Sequence, residues 1–265
     1  MQRILLGSDP ELFLKNDQDR YVSAIDRFEG TKQHPIPLKE LGKGFMIQVD
    51  NVAVEFNTPP ADTAAKFSDI HNRVLDFIRA RADKMGLKLA LDASALFPEE
   101  ELADPRALVF GCEPDYNAWA LEMNPAPFSP IPNLRSAGGH IHVGITRQRD
   151  EAKVAMVRWM DHLIGAYSVL HDKDTLRKEL YGRPGAMRFK PYGFEYRTVS
   201  NFWLKSTAFM QDVAKLTFQA VQFSQTTALQ GSDIEDTQRM LLDNDQDLAT
   251  KFLHPVRKTL LNKVA

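Results

Sequence analysis

The first fifty-odd residues read as short strands, because β-branched and aromatic residues alternate with polar ones between turn residues. ILLGS and ELFLKN are two of them, and YVSAI follows across NDQDR, a hairpin-type turn. Residues 30–44, rich in Gly, Pro and Lys, have the composition of a mobile surface loop rather than of core. FMIQVDNVAVEFNTPP then splits at Asp50-Asn51 into two strands. In the second of these Val52, Val54 and Phe56 alternate with Ala53, Glu55 and Asn57, and Pro59-Pro60 ends it.

The period then changes. Ala65, Phe67, Ile70, Val74, Leu75 and Ile78 recur at three- and four-residue spacing, which predicts an amphipathic helix from Asp62 to Met85, closed by Gly86. LKLALDAS reads as a further strand. Helices are expected from about Glu151 to His171 and from Trp203 to Phe223, with one or two shorter ones between Asp233 and Asn262. No internal repeat is visible. Strands before, between and after long helices, without regular βαβ alternation, predict an α+β fold with a largely antiparallel sheet covered on one face. A single domain over 1–265, with a helical C-terminal portion at 202–265, is the simplest organisation.

Composition narrows the function. The 33 Lys and Arg against 35 Asp and Glu give a net charge of −2, which excludes a dedicated nonspecific nucleic-acid binder. The single cysteine, Cys112, excludes an intrachain disulfide framework and zinc sites built on paired cysteines. No secretory signal and no apolar run long enough for a membrane span is present, so a cytoplasmic protein is expected.

Five segments place charged or imidazole groups on otherwise apolar strands, where charge must be paired or metal-bound. In GSDPELFL, Asp9 and Glu11 project to one face, and a cation between them would relieve their repulsion. The plainer alternative is a turn-capping Asp9 and a solvated Glu11. In DNVAVEFNTPP, Glu55 sits mid-strand against β propensity. AGGHIHVGI sets His140 and His142 on one face between glycines that allow close approach of a ligand, with Arg135 just before. In YGRPGAMRFKPYGFEYR, Arg183, Arg188 and Lys190 precede a strand bearing Glu195 and Arg197, a set suited to phosphate oxygens beside a metal, or simply to a solvated ion pair. FGCEPDYNAW places Glu113 and Asp115 around a proline, and Cys112 beside them reads as a small buried residue.

Asp, Glu and His without cysteine suit magnesium or manganese, and the arginines suit a nucleoside triphosphate. GxxxxGK[ST] and strand-borne GxGxxG are absent, so side chains and metal must hold the phosphates.

The ordered set GSDPE, VEFN, GGHIHVG and GFEYR, spanning roughly residues 4–203, resembles the glutamine synthetase and glutamate-cysteine ligase superfamily. More narrowly it resembles the phage-type, phiEco32-like COOH·NH2 ligase-type 2 amidoligases. The resemblance implies a curved antiparallel sheet forming an open half-barrel, helices on its outer face, and ATP and two or three Mg2+ or Mn2+ ions within. It also implies an acyl phosphate intermediate that an amine converts to an amide or isopeptide, with ADP and phosphate released. Glu11, Glu55, His142 and Glu195 match metal positions, with Asp9 and His140 at their margin, either supporting the ligands from behind or facing substrate, and Asp9 also a candidate ligand. Arg197 matches an arginine on the transferring phosphate, and Arg188, Lys190, His140 and Arg135 would hold the nucleotide or substrate. Asp50 or Asp115 would take the amine's proton. The implied partners are small-molecule or peptide carboxylates and amines, in the host cytoplasm if the protein is phage-encoded. Oligomeric state stays open. Two other readings of the same residues are a metal-dependent hydrolase and a nucleotide-binding protein without turnover. If the acids form an uncompensated cluster, Glu11→Gln and Glu195→Gln should leave metal-free stability unchanged or raised.

Overall fold

The structure, a computed structural model, describes residues 3–108, 115–126, 129–174 and 176–260. Cys112 and Glu113 lie outside the described residues. The first strands are β1 (Leu5–Ser8), β2 (Glu11–Lys15), β3 (Tyr21–Val22), β4 (Ile36–Pro37), β5 (Met46–Asp50) and β6 (Ala53–Asn57). After helix α1 (Ala64–Asp83) come β7 (Lys88–Ala90), β8 (Ser94–Leu96), β9 (Tyr116–Asn117), β10 (Glu122–Met123), β11 (Leu134–Ser136) and β12 (Ile141–Gly144). Helices α2 (Asp150–Met160), α3 (Ala166–His171) and α4 (Arg177–Leu180) lead to β13 (Ala186–Lys190) and β14 (Gly193–Tyr196). Helices α5 (Thr207–Thr226), α6 (Ser232–Asp243) and α7 (Gln246–Leu260) close the chain.

Every strand pair is antiparallel, in the orders β1-β12-β14-β13-β9-β10 and β3-β2-β6-β5-β4, with β7 also on β2 and β8 paired with β11. The two larger ladders meet at Asp9-Pro10. Pro10 donates no hydrogen bond, and the strand is interrupted there between β1 and β2. Both flanking stretches nonetheless stay paired to β6 and its extension, through Phe56 N to Pro10 O (3.3 Å), Thr58 N to Ser8 O (3.3 Å) and a bridge between Leu6 and Ala61. The result is an α+β fold around one curled antiparallel half-barrel.

Alternation on β12 and β14 decides which face is dry. Ile141, Val143, Phe194 and Tyr196 are fully buried towards the helices, each contributing roughly 1.5–3 kcal/mol of apolar burial. The α1 helix forms as its spacing predicts, with Thr63 Oγ1 capping Lys66 N at 3.2 Å.

Three elements differ from expectation. The helix of 150–171 is interrupted by a π turn at Asp161–Gly165. The stretch expected to be helical from Trp203 begins as a 3-10 turn, Asn201–Lys205, and restarts as α5 because Ser206 is extended and caps Phe209 N at 3.1 Å. LKLALDAS divides between β7 and β8, which pair with different strands. The 30–44 segment is largely exposed, yet it contributes β4 to a sheet edge and buries Leu38. No helix among the described residues is long and apolar enough to cross a membrane.

Candidate active site

The concave face carries the chemistry because register aligns the polar positions of neighbouring strands. Gly7, His142, Glu195 and Arg188 are successive cross-strand partners on β1, β12, β14 and β13. Asp9, between β1 and β2, completes a cluster with this row: its Oδ1 lies 3.1 Å from His142 Nε2 and 3.2 Å from His140 Nδ1. Asp9, His142 and Glu195 each offer a ligand atom within 4.8 Å of the others.

A second acidic group adjoins it. Glu11 on β2 faces Glu55 on β6, which faces Gln48 on β5. Gln48 Nε2 donates to Glu55 Oε2 at 2.7 Å, and Gly138 N donates to Glu11 Oε2 at 2.7 Å. Burial, together with the charges of Asp9, Glu11 and Asp50, pushes the Glu55 carboxyl well above the ordinary range, and burial raises Glu11.

Glu195, 0% exposed, is compensated instead. Lys190 Nζ is 2.9 Å from Oε2, Arg188 NH1 is 3.9 Å away, and Arg197 NH1 donates to Oε1. Burial and Asp9 push this carboxyl up, but Arg197, His140 and His142 outweigh them and hold it down at about 2. The expectation that Glu195→Gln would spare or raise metal-free stability is therefore corrected, because a charge with cationic partners is lost. Glu11 and Glu55 are the uncompensated pair.

Asp9 is held well below the usual range, burial being overcome by the two imidazoles; Asp9 and Glu195 in turn raise His142 against its own burial. The Tyr192 hydroxyl lies 3.1 Å from His142 Nδ1, which leaves Nε2 facing the cluster. Although His142 Nε2 and Glu195 Oε2 are within ion-pair reach of Asp9 and Lys190, neither makes a hydrogen bond of proper geometry. Cis ligands of an octahedral ion with bonds of about 2.1 Å stand about 3.0 Å apart, close to the Asp9–His142 spacing. Oxygen and imidazole donors, part of them without hydrogen-bond partners, fit magnesium or manganese.

GGHIH needs both its glycines. A Cβ on Gly138 would lie 2.5 Å from His140 Nε2, and one on Gly139 2.1 Å from Ser200 O. His140 is thereby laid flat against the chain, with Nδ1 3.2 Å from Arg197 NH1.

The remaining expected residues divide. Asp115 Oδ1 lies 2.6 Å from Arg197 Nε and 3.7 Å from Arg188 NH2, so it holds the cations. Asp50 lines a cleft with Glu11, Phe13, His140, Arg177 and Arg197, and pairs with Lys32 Nζ at 3.4 Å. Arg135 also borders that cleft, but its guanidinium is engaged by Asn51 Oδ1 and by the carbonyls of Ala107, Pro132 and Leu134, which makes it a brace of the wall and not part of the Glu195 cluster. Arg183 is exposed.

Gln48, Tyr192 and Arg177 went unnoticed in the sequence. Arg177 is buried and donates to Thr198 O at 3.0 Å and Arg197 O at 3.3 Å. Its Nε makes no hydrogen bond among the described residues. Gly182 makes room for it, since a Cβ there would lie 2.2 Å from NH1. In the sequence Arg177 stands in the segment LRKELYG, and nothing in it announces a buried cation.

No curated protein matches the chain. Ligand-free GmaS superposes with a TM-score of 0.53 at 14% identity, over 95% of this chain and 65% of its own, which shows a shared fold. GmaS with ADP, in its conformation 1, gives 0.46 at 12% identity over 98% and 70%. A bifunctional glutathione synthetase from Pasteurella multocida gives 0.43 at 9% over 97% and 49%. The chain thus spans 65% of the length of ligand-free GmaS. Residues 127–262, just over half of the chain and including GGHIHVG and GFEYR, match the family described as phage phiEco32-like COOH.NH2 ligase-type 2. With its fold, its motifs and this match in agreement, the chain belongs to the phage phiEco32-like COOH.NH2 ligase-type 2 family.

Proposed function

We propose that this protein is an ATP-dependent carboxylate–amine ligase that activates its acid substrate as an acyl phosphate and releases ADP and phosphate. The observation that carries this reading is the junction at Glu195, where an acid–imidazole cluster meets Arg188, Lys190 and Arg197 on one concave surface. Anion-holding and cation-holding groups within one site suit a phosphate chain more than a neutral substrate.

Asp9, His142 and Glu195, with Glu11 and Glu55 alongside, would hold two or three magnesium or manganese ions, whose charge would offset that of the phosphates. Arg188 and Lys190, partly exposed on β13, meet the phosphate oxygens first. Arg197, fixed between Asp115 and Glu195, faces the oxygen charge that shifts during transfer. In the first step a substrate carboxylate oxygen attacks the γ-phosphorus, the bond to the β–γ bridging oxygen breaks, and ADP leaves. In the second an amine nitrogen attacks the acyl carbon, the bond to the phosphate oxygen breaks, and the nitrogen gives up a proton. Asp50, which borders the cleft and pairs with the half-exposed Lys32 at 3.4 Å, would take that proton, since Asp115 lies 2.6 Å from the buried Arg197. The cleft would receive the acid and the amine, as small molecules or the end of a peptide, and use of ATP would suit a cytoplasm, the host's if phage-encoded.

Purified protein incubated with ATP, Mg2+ or Mn2+ and pairs from a panel of carboxylates and amines is expected to release ADP and phosphate together with a condensed product. Arg197→Ala should abolish the release. AMP and pyrophosphate as products would overturn the acyl phosphate. Bond cleavage without nucleotide, unchanged in Arg197→Ala, would establish the hydrolase instead.

A further inference from the structure

The backs of the site-bearing strands converge on one carboxylate. Asp161 opens the π turn between α2 and α3, is 0% exposed, and lies on the helix side of the sheet. Its Oδ1 accepts from the Tyr196 hydroxyl at 2.8 Å and from Thr198 Oγ1 at 3.0 Å. Its Oδ2 accepts from Trp119 Nε1 at 2.6 Å and from the backbone N of Gly185 at 2.6 Å.

Each donor has a neighbour in the site. Tyr196 and Thr198 alternate with Glu195 and Arg197, so the pair turned to the helices fixes the pair turned to the cleft. Gly185 leads into β13, which presents Arg188 and Lys190. Trp119 lies in the turn between β9 and β10, four residues after Asp115. A regular helix would need no acid here, and packing alone would favour an apolar residue. Burial pushes the carboxyl up to about 6 against the four donors, so at neutral pH they meet an anion. A π turn adds a residue to the helical turn and often marks a functional site.

We propose that Asp161 is the positioning residue of this site, holding from behind the sheet the three segments that present Asp115, Arg188, Lys190, Glu195 and Arg197. The inference rests on the ligase reading only where it treats that cluster as the active site.

Two substitutions separate positioning from bulk stability. Asp161→Ala strands all four donors. Asp161→Asn can keep its amide oxygen on the two N–H donors while its NH2 donates to the two hydroxyls, which can turn to accept. The primary readout needs neither metal nor nucleotide: the Arg197 Nε–H signal in 15N spectra of the metal-free protein, identified by its loss in Arg197→Lys. Arg197 Nε lies 2.6 Å from Asp115, so the signal reports their relative placement. In folded Asp161→Ala the signal should move towards that of a solvated arginine, and Mn2+ affinity should fall about tenfold or more. Asp161→Asn should restore both. If Asp161→Ala does not accumulate as folded protein, Tyr196→Phe/Thr198→Val, which removes both donors to Oδ1, should give the same displacement. A folded variant with a lower melting temperature but an unmoved Arg197 signal overturns the proposal. Wild-type protein that binds no Mn2+ and consumes no ATP counts against the ligase reading, while the Arg197 signal still decides this one.

Discussion

Replacing Glu55 with Gln should stabilise the metal-free protein. Glu55 is 5% exposed and faces Glu11 directly across the β2–β6 ladder. Opposed cross-strand side chains stand about 5 Å apart. Two unit charges at that distance with an effective dielectric constant of about 20 repel by about 3 kcal/mol. Partial protonation lowers this, so the gain on removing one charge is roughly 1–3 kcal/mol. Gln retains an oxygen to accept the Gln48 bond, so the change isolates charge from hydrogen bonding. At about 2–4 °C per kcal/mol for a chain of this size, the expected rise is about 2–12 °C by scanning fluorimetry at pH 8 with EDTA.

The pH dependence carries the sign. The Glu55 carboxyl is raised above its ordinary value of 4.5 in the folded protein, so the folded state holds the proton more tightly than the unfolded chain. The cost to stability is absent below about pH 4.5 and grows as pH rises towards the raised value. Wild type and Glu55→Gln should therefore coincide near pH 4.5 and diverge towards pH 8. Saturating Mn2+ should reverse their order, because only wild type keeps the full ligand set. If Glu55→Gln melts several degrees lower than wild type at pH 8 in EDTA, the carboxylate has a cationic partner within the fold and the reasoning fails.

Glu195→Gln should do the opposite. A carboxyl moved from 4.5 to about 2 stabilises the fold by about 3 kcal/mol above pH 4.5, and that contribution fades as pH falls from 4.5 to about 2, so urea midpoints at pH 7 should drop. His71 and His162, buried and lowered from 6.5 to about 4, should each contribute about 3 kcal/mol of acid destabilisation as pH falls from 6.5 to 4. His162→Gln, which can still reach Thr237, should lower the proton uptake on unfolding measured in that window by up to about one proton. Gly138→Ala should fold but displace His140, weakening ATP binding without abolishing it, as calorimetry would show. Tyr192→Phe should weaken Mn2+ binding about tenfold or more by releasing His142 Nδ1.

The reach of the sequence follows from what alternation encodes. A period of two states which side chains share a face, so His140 with His142, and Glu195 with Arg197, were legible as pairs, as was the helix of 64–83 from its own period. Alternation does not state which strands become neighbours. Thus the opposition of Glu11 to Glu55, the partnership of Asp115 with Arg197, and the division of the acids into a compensated Glu195 and an uncompensated Glu11–Glu55 pair emerge only from register. Two of the unseen residues share a second cause. Arg177 and Asp161 sit in helical segments where a single charged residue looks like an ordinary solvated position, and only burial distinguishes them. Charge on a strand between apolar residues announces itself because alternation fixes its direction. Charge in a helix does so only when it breaks an apolar stripe, and a π turn shifts that stripe, hiding Asp161 at the point where the helix meets the site-bearing strands.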